Sequence, residues 1–229
     1  MNYAILAAGE GSRLAEEGIQ QPKPLVKVNG EAMIDRLIRI FDKCGAENIY
    51  VITNNLTDLT RRHLSLLQEK DKRIQLIVKT TPSSMHSFYE LRQIMPLAKF
   101  CMTTVDTIFR EEEFEEYIRR WTASDADGMM AVTDYVDDEK PLYISTDRDL
   151  RITGFHDTEK HAYISGGIYG LNEKAFDIID KCMSMGLSRM RNFQRQLVAE
   201  GLRLEAYPFS KILDVDHASD IAKAEAFLG

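Results

Sequence analysis

A short apolar run over residues 3–7 (Tyr-Ala-Ile-Leu-Ala) passes through Ala8 into Gly9. A run too short for a helix that ends in a glycine loop reads as a buried strand, and it fixes how the next hundred residues must be read. Ile34, Leu37, Ile38 and Phe41 fall at i, i+3, i+4 and i+7, one apolar stripe on a helix from about Glu31 to Cys44 that Gly45 stops. Ile49 to Thr53 reads as the next strand. The alternation continues with a leucine-rich helix near 56–69, a strand near 74–79, a helix near 84–95 and a strand near 100–105. Strands joined through helices need crossover connections, so this spacing predicts a parallel sheet.

From Asp127 the rhythm changes. Strand-like pieces near 128–135, 141–145, 151–155 and 163–171 come with little helix between them, which predicts antiparallel additions or an inserted ribbon. Helices near 173–184 and 189–200, strands near 203–208 and 211–215, and a helix from about Ala218 follow. No linker rich in Pro, Gly or Ser interrupts the chain and no internal repeat stands out, so the expectation is one α/β domain over residues 1–229. Hydrophobic residues at 44% and charged residues at 28% exclude the disordered and collagen-like classes. Lys plus Arg at 29 against Asp plus Glu at 36 leaves a charge of −7, with no global field to draw in a nucleic acid. The three cysteines, Cys44, Cys101 and Cys182, fit neither a disulfide framework nor a zinc site. Without a basic leader or an apolar stretch of about eighteen residues, the sequence predicts a cytoplasmic protein with no membrane partner.

Ligands of open α/β sheets sit beyond the carboxyl ends of the strands, and three places there carry suitable chemistry: Ala8 to Arg13, Val105 to Asp106, and Asp214 to Asp216. In the loop Ala7-Ala8-Gly9-Glu10-Gly11-Ser12-Arg13-Leu14, two glycines let the backbone approach an anion. A dinucleotide fingerprint would need glycine where Leu14 stands, and a P-loop would need a Gly-Lys pair that occurs nowhere in the chain. The loop offers instead the planar fork of Arg13. Ten residues later Gln21-Pro22-Lys23-Pro24-Leu25 braces one lysine between two prolines, against the alternative of an ordinary turn with a solvated lysine. Asp106 ends a strand and suits Mg²⁺, and Asp214 and Asp216, two apart on one strand face, are each able to complete its site. Helix capping by Asp216 or Ser219 is the competing reading. The acidic run Glu111 to Glu116 and the segment Arg61-Arg62-His63 read as solvated helix faces, and Met129 and Met130 as core filler. The histidines form no H-E-x-x-H pattern, so a zinc hydrolase lacks support.

Leu6 to Leu14 followed by Pro22-Lys23-Pro24-Leu25 resembles the N-terminal signature of the sugar-phosphate nucleotidyltransferases. Val105-Asp106-Thr107 falls where that family has a metal-binding Asp. Ser165-Gly166-Gly167-Ile168-Tyr169 resembles its sugar-side strand, and Leu213-Asp214-Val215-Asp216 resembles its second metal site. The resemblance implies a Rossmann-like nucleotidyltransferase fold (glycosyltransferase A-like), with a mixed, mainly parallel sheet flanked by helices. It also implies a magnesium-dependent reaction that joins a nucleoside triphosphate to a sugar 1-phosphate and releases pyrophosphate. Carried onto this sequence, Arg13 and Lys23 become catalytic; Ala7, Ala8, Gly9, Gly11, Ser83 and Ser84 bind the nucleotide; Lys160, Gly166 and Gly167 bind the acceptor; and Asp106 with Asp214 or Asp216 holds Mg²⁺. Three positions depart from the pattern. Val105 stands where members often have glycine, Glu159-Lys160-His161 lacks the usual proline after its charged pair, and Asp216 replaces a glycine, as in some members that use phosphocholine. A cytidylyltransferase for phosphocholine or another non-sugar phosphate, and a non-catalytic nucleotide-sugar-binding protein, therefore stand as alternatives. In either enzyme reading the acceptor is a small phosphorylated metabolite and not a nucleic acid.

Overall fold

The computed structural model describes residues 1–137 and 139–229. The first half runs β1 (Asn2–Ala7), α1 (Ser12–Glu16), a 3₁₀ turn (Lys23–Leu25), β2 (Lys27–Val28), β3 (Glu31–Ala32), α2 (Met33–Lys43), β4 (Asn48–Thr53), α3 (Asp58–Lys70), β5 (Ile74–Val78) and α4 (Ser84–Arg92). Then come β6 (Phe100–Thr104), β7 (Thr107–Ile108), α5 (Glu111–Ala123), β8 (Gly128–Thr133), β9 (Tyr143–Thr146), β10 (Ile152–His156) and β11 (Tyr163–Leu171). The chain continues with α6 (Lys174–Ser184), α7 (Met190–Ala199), β12 (Leu204–Pro208), β13 (Leu213–Asp214) and α8 (Ala218–Leu228).

The main sheet has the order β10-β9-β11-β6-β1-β4-β5, with β8 branching from β11 and β12 pairing β8. β1 lies parallel to both β4 and β6, Ile5 standing opposite Val51 on one side and Thr103 on the other. β11 runs antiparallel to β6, β8 and β9, which is the change of rhythm expected after Asp127. All six residues of β1 are buried because both sheet faces are covered. Strand alternation sends Tyr3, Ile5 and Ala7 into a core with Leu37 and Phe41 of α2 and Phe114 of α5, where the Tyr3 and Phe41 rings stack at 4.3 Å. Ala4, Leu6 and Ala8 enter the opposite core with Phe88 of α4, Phe176 of α6 and Phe193 of α7.

From β1 the chain builds outward through β4 to β5, whereas β6 lies on the other side of β1. The order of strands therefore reverses between β1 and β6, and the loops leaving their carboxyl ends diverge to open a crevice. Among the described residues no helix is long and apolar enough to cross a membrane.

The structure differs from the sequence expectations in three places. The late strand expected over 211–215 is only the two-residue β13, which pairs with β7 in a small ribbon of its own. α1, the 3₁₀ turn, β2 and β7 lie where no element was expected, and β3 takes the first two residues of the helix expected from Glu31, because pieces of two to five residues show no periodicity. The acidic run at the start of α5 is also more than a solvated face. Glu111 pairs with Arg39 at 2.7 Å, Glu115 pairs with Lys43, and Glu113 accepts hydrogen bonds from Ser210 N–H (2.8 Å) and Oγ (2.9 Å). These carboxylates tie α5 to α2 and to the loop before β13.

Candidate active site

Gly11 is in the left-handed region (φ 64°), and a Cβ there would stand 2.8 Å from Lys23 Cβ. Glycine at this point lets the loop after β1 lie directly against the proline-braced segment, so the two motifs form one structure. Pro22 precedes the 3₁₀ turn, whose Leu25 N–H donates to the Pro22 carbonyl at 2.8 Å, and Lys23 is held at the start of that turn. From just past the end of β4, buried Asn54 donates through Nδ2 to the carbonyls of Gly9 (2.9 Å) and Ala8 (3.4 Å). Leu14 anchors the far end of the loop in the core.

The lysine side chain, 10% exposed, forms ion pairs with Asp106 and with Asp216 Oδ1 (2.6 Å), and Arg13 reaches Asp216 Oδ2 at 3.2 Å. The β7–β13 ribbon brings the carboxylates there: Asp214 pairs with Thr107, and Val215 N–H donates to the Asp106 carbonyl at 3.0 Å. Burial opposes the charge on Lys23, but Asp106 and Asp216 outweigh it and hold its pKa well above the ordinary lysine range. The group is an ammonium at any physiological pH.

Asp106 Oδ1 is buried and has no hydrogen-bond partner among the described residues. A carboxylate oxygen stripped of water and left without a donor is costly, and a hard cation is one of the few groups that satisfy it. The residues present fit Mg²⁺ in this respect: Asp106, with Asp214 on the ribbon and Asp216 just past its end, offers only oxygen donors. Capping of α8 does not fall to Asp216. Asp220 Oδ2 accepts from the N–H groups of His217 (2.8 Å) and Asp216 (3.2 Å), so Asp216 is free to turn its carboxylate to Lys23 and Arg13.

A cleft opens on each side of this ion-pair bridge. One, of about 310 Å³, is lined by Ala8, Gly9, Lys23 and Asp106 and by the segment Thr81 to Ser84, so it contains the expected Ser83 and Ser84. Ser83 Oγ bonds His86 Nδ1 at 2.9 Å, and Thr81 Oγ1 bonds Ser87 Oγ at 2.6 Å, which orders this wall. The other cleft, of about 410 Å³, is lined by Arg13, Tyr135, Ser165, Gly166, Asp214 and Asp216, among others. A Cβ on Gly166 would come within 2.3 Å of Ile212 Cδ1, and Gly167 has φ 73°, so this pair of glycines permits the register break in β11 at the cleft wall.

Of the residues expected at the site, Ala8, Gly9, Arg13, Lys23, Ser83, Ser84, Asp106, Gly166, Asp214 and Asp216 line the two clefts. Ala7 is buried at the end of β1, Gly11 stands behind Lys23, and Gly167 lies over Thr107. Lys160 is exposed on the β10–β11 loop and lines neither cleft. Sequence reasoning missed Asn54, although its place just past the carboxyl end of β4 is the same signal that singled out Asp106. It also missed Glu17, which bonds His217 Nδ1 and the Ala218 N–H at 2.6 Å each and ties α1 to α8; no local pattern announces a partner 200 residues away.

Residues 3–229 match the model of the nucleotidyl transferase family. The chain belongs to that family. Over 114 residues (48% of this chain, 45% of the relative) it is 27% identical to the 2-aminoethylphosphonate cytidylyltransferase of Lancefieldella rimae. Its fold matches a putative glucose-1-phosphate thymidylyltransferase from Bacillus anthracis with a TM-score of 0.84 at 18% identity, covering 99% of this chain and 94% of that one. It matches the CTP:phosphocholine cytidylyltransferase from Streptococcus pneumoniae with a TM-score of 0.79 at 21% identity, covering 100% and 99%. Structural likeness at these identities shows the fold, which is the Rossmann-like nucleotidyltransferase fold. The chain spans about half the length, or less, of the curated relatives it matches.

Proposed function

We propose that residues 1–229 work as one nucleotidyltransferase domain that joins a nucleoside triphosphate to a small phosphorylated acceptor, with release of pyrophosphate. The observation that carries this reading is the placement of Lys23. A buried ammonium, braced by two prolines and the Gly11 loop, bridges Asp106 and Asp216 between two clefts at the point where the sheet reverses. The nucleoside occupies the cleft walled by Ser83 and Ser84, its phosphates run along residues 8–11 toward Arg13 at the ion-pair bridge, and the acceptor enters from the other cleft. Its phosphate oxygen attacks the α-phosphorus in line, the bond to the bridging oxygen breaks, and pyrophosphate leaves with that oxygen. The acceptor is itself the nucleophile, so the protein's task is positioning and charge neutralisation. Lys23 meets the charge that develops on the α-phosphoryl oxygens, Arg13 grips the leaving pyrophosphate, and Asn54 keeps the loop carbonyls turned away from it. Asp106 with Asp214 or Asp216 would hold Mg²⁺, which when bound would supply the remaining neutralisation of the triphosphate.

For the acceptor, the second cleft favours a phosphate or phosphonate that also carries a cationic amine. Asp137, Glu139, Asp214, Asp216 and Asp220 line it beside Arg13, Lys140, Arg191 and Lys223, with the Tyr135 ring among them, and Lys223 pairs with Asp137 and Asp220. Carboxylates around an aromatic ring are the chemistry that holds an ammonium, and the face of Tyr135 already carries Lys211 Nζ at 4.1 Å. The Lancefieldella and Streptococcus relatives, named for 2-aminoethylphosphonate and phosphocholine, support this choice. A sugar 1-phosphate is the second reading. It is favoured by the glycine-opened wall at Gly166 and by the Bacillus relative.

The test is a matrix of CTP, UTP, dTTP, GTP and ATP against phosphocholine, 2-aminoethylphosphonate and glucose 1-phosphate, read as pyrophosphate release. Release is expected only when a triphosphate and an acceptor are both present, and most strongly with an aminated acceptor. Preference for glucose 1-phosphate would select the second reading. Nucleotide binding without release in any pairing would leave a non-catalytic nucleotide-sugar-binding protein.

A further inference from the structure

β10 ends at His156, and the loop that carries Lys160 returns to β11 past Glu159 and His161. His156 Nδ1 lies 3.5 Å from Glu159 Oε2, His161 Nε2 lies 3.4 Å from Glu159 Oε1, and the ligand-type atoms of all three residues fall within 4.8 Å of one another. Separations of 3.4–3.5 Å are longer than good hydrogen bonds. Each matches the spacing of two donors on one ion, since two bonds of about 2.1 Å at the tetrahedral angle place their donor atoms about 3.4 Å apart, and Glu159 turns one oxygen to each ring. His161 Nε2 is shut off from solvent and has no hydrogen-bond partner among the described residues, a cost that a bound cation would remove. His156 Nε2 is bonded to Ser145 Oγ at 2.9 Å, and Thr153 Oγ1 donates to the same Ser145 oxygen at 2.9 Å. That outer contact fixes the ring and leaves Nδ1 as the nitrogen that faces Glu159, the support a ligating histidine needs.

We propose that His156, Glu159 and His161 form a structural site for a zinc-type divalent ion, separate from the carboxylates assigned to Mg²⁺. Two imidazoles and one carboxylate select a borderline ion over a hard one, and Glu159, 68% exposed, leaves a coordination position open to water. The site has a consequence for the second cleft. Asp157, next to His156, pairs with Arg191 and with Arg195 (2.6 Å), and Arg191 lines that cleft. An ion at 156–161 would brace this wall through Asp157.

The experiment titrates Co²⁺ and then Zn²⁺ into the full chain in a large excess of Mg²⁺, and repeats the titration on Asp106→Asn to remove the carboxylate site from play. One equivalent of Co²⁺ is expected to give the intense visible absorption of a four- or five-coordinate imidazole complex, displaced by Zn²⁺, in both proteins. His161→Ala and Glu159→Gln should each weaken uptake at least about 100-fold, more than loss of an outer contact costs. Zn²⁺ should also slow amide exchange across residues 157–162 in the wild type and not in Glu159→Gln. Glu159→Gln keeps an exposed side chain of the same size, so it carries the test even where a histidine variant fails to fold. Absence of the visible band, or uptake lost in Asp106→Asn and retained in Glu159→Gln, would overturn the proposal. Neither readout depends on turnover, so this outcome and that of the transferase assay are independent.

Discussion

Replacing Lys23 with methionine keeps the length and apolar stem of the side chain and removes the charge that Asp106 and Asp216 share. The lysine is 10% exposed and Asp106 17%, so water replaces little of what is lost. At an effective dielectric of about 20, the 2.6 Å contact with Asp216 corresponds to ~6 kcal/mol of gross attraction. Desolvation of the ammonium offsets part of this, and Asp216, 44% exposed, is screened by solvent. A loss of ~3 kcal/mol at neutral pH remains, the low end of the cost of removing one partner from a buried pair. For a chain of this size that lowers Tm by roughly 6–12 °C. If Asp106 and Asp216 hold Mg²⁺ as proposed, the cation would compete with the ammonium for them in the wild type, so Mg²⁺ should raise the melting temperature more in Lys23→Met. Turnover should fall about 10²–10³-fold even with Mg²⁺ present, since the group proposed to meet the developing phosphate charge is gone. Calorimetric melting with and without Mg²⁺, beside pyrophosphate release, reads both effects. A variant that melts with the wild type, or that gains no more from Mg²⁺ than the wild type does, would mean that Lys23 neither stabilises these carboxylates nor shares them with a cation.

Asp106→Asn should abolish Mg²⁺-dependent turnover with little change in side-chain size, and full activity in this variant would remove Asp106 from the metal site. Asp214→Asn and Asp216→Asn should differ from each other in the Mg²⁺ concentration that restores turnover, the true ligand showing the larger shift. Gly11→Ala forces an ordinary residue into the left-handed region, at about 1–2 kcal/mol, and drives its Cβ against Lys23, so kcat should drop at least about tenfold beyond what the melting shift explains. Equal kcat would mean that the Gly11 contact does not position the lysine. The hydrogen bond with Glu17 raises the pKa of His217 and lowers that of Glu17, which the Ala218 N–H lowers further. A raised folded-state pKa gives a contribution that is complete below the unfolded value near 6.5 and lost as pH rises through the folded value. The depressed Glu17 sets the acid limit, its contribution being lost as pH falls through its folded pKa. The melting difference between wild type and His217→Ala should therefore be largest at mildly acidic pH and vanish at alkaline pH. A difference independent of pH would point to packing instead.

Much of this fold is legible in the sequence because its signals are local. The stripe Ile34, Leu37, Ile38, Phe41 marks α2 to within two residues at its start and one at its end, and the run 3–7 marks β1 to within one. Where the chain depends on distant partners, local signals fail. β13 is a strand only because β7 lies beside it, and the acidic run of α5 looks solvated until Arg39, Lys43 and Ser210 arrive from elsewhere. The same division holds at the site. Glycine loop, braced lysine and strand-end aspartates are visible as residue types at the ends of strands. That Lys23 bridges Asp106 and Asp216 is not visible, because the bridge closes 193 residues of chain between Lys23 and Asp216. Lys160 shows the converse: a charged pair in a familiar position that the fold leaves exposed outside both clefts.

The proposed reaction is defined by which phosphorus is transferred. The direct measurement supplies the best triphosphate from the acceptor matrix, radiolabelled in one reaction at the α-phosphorus and in another at the γ-phosphorus, together with its acceptor, and separates the products. In-line attack at the α-phosphorus, with Lys23 and Arg13 on either side of the breaking bond, predicts α-label in the joined product and γ-label in pyrophosphate, with neither appearing when acceptor is left out. Label from the γ-position on the acceptor, or release of γ-label as inorganic phosphate without an acceptor, would contradict it.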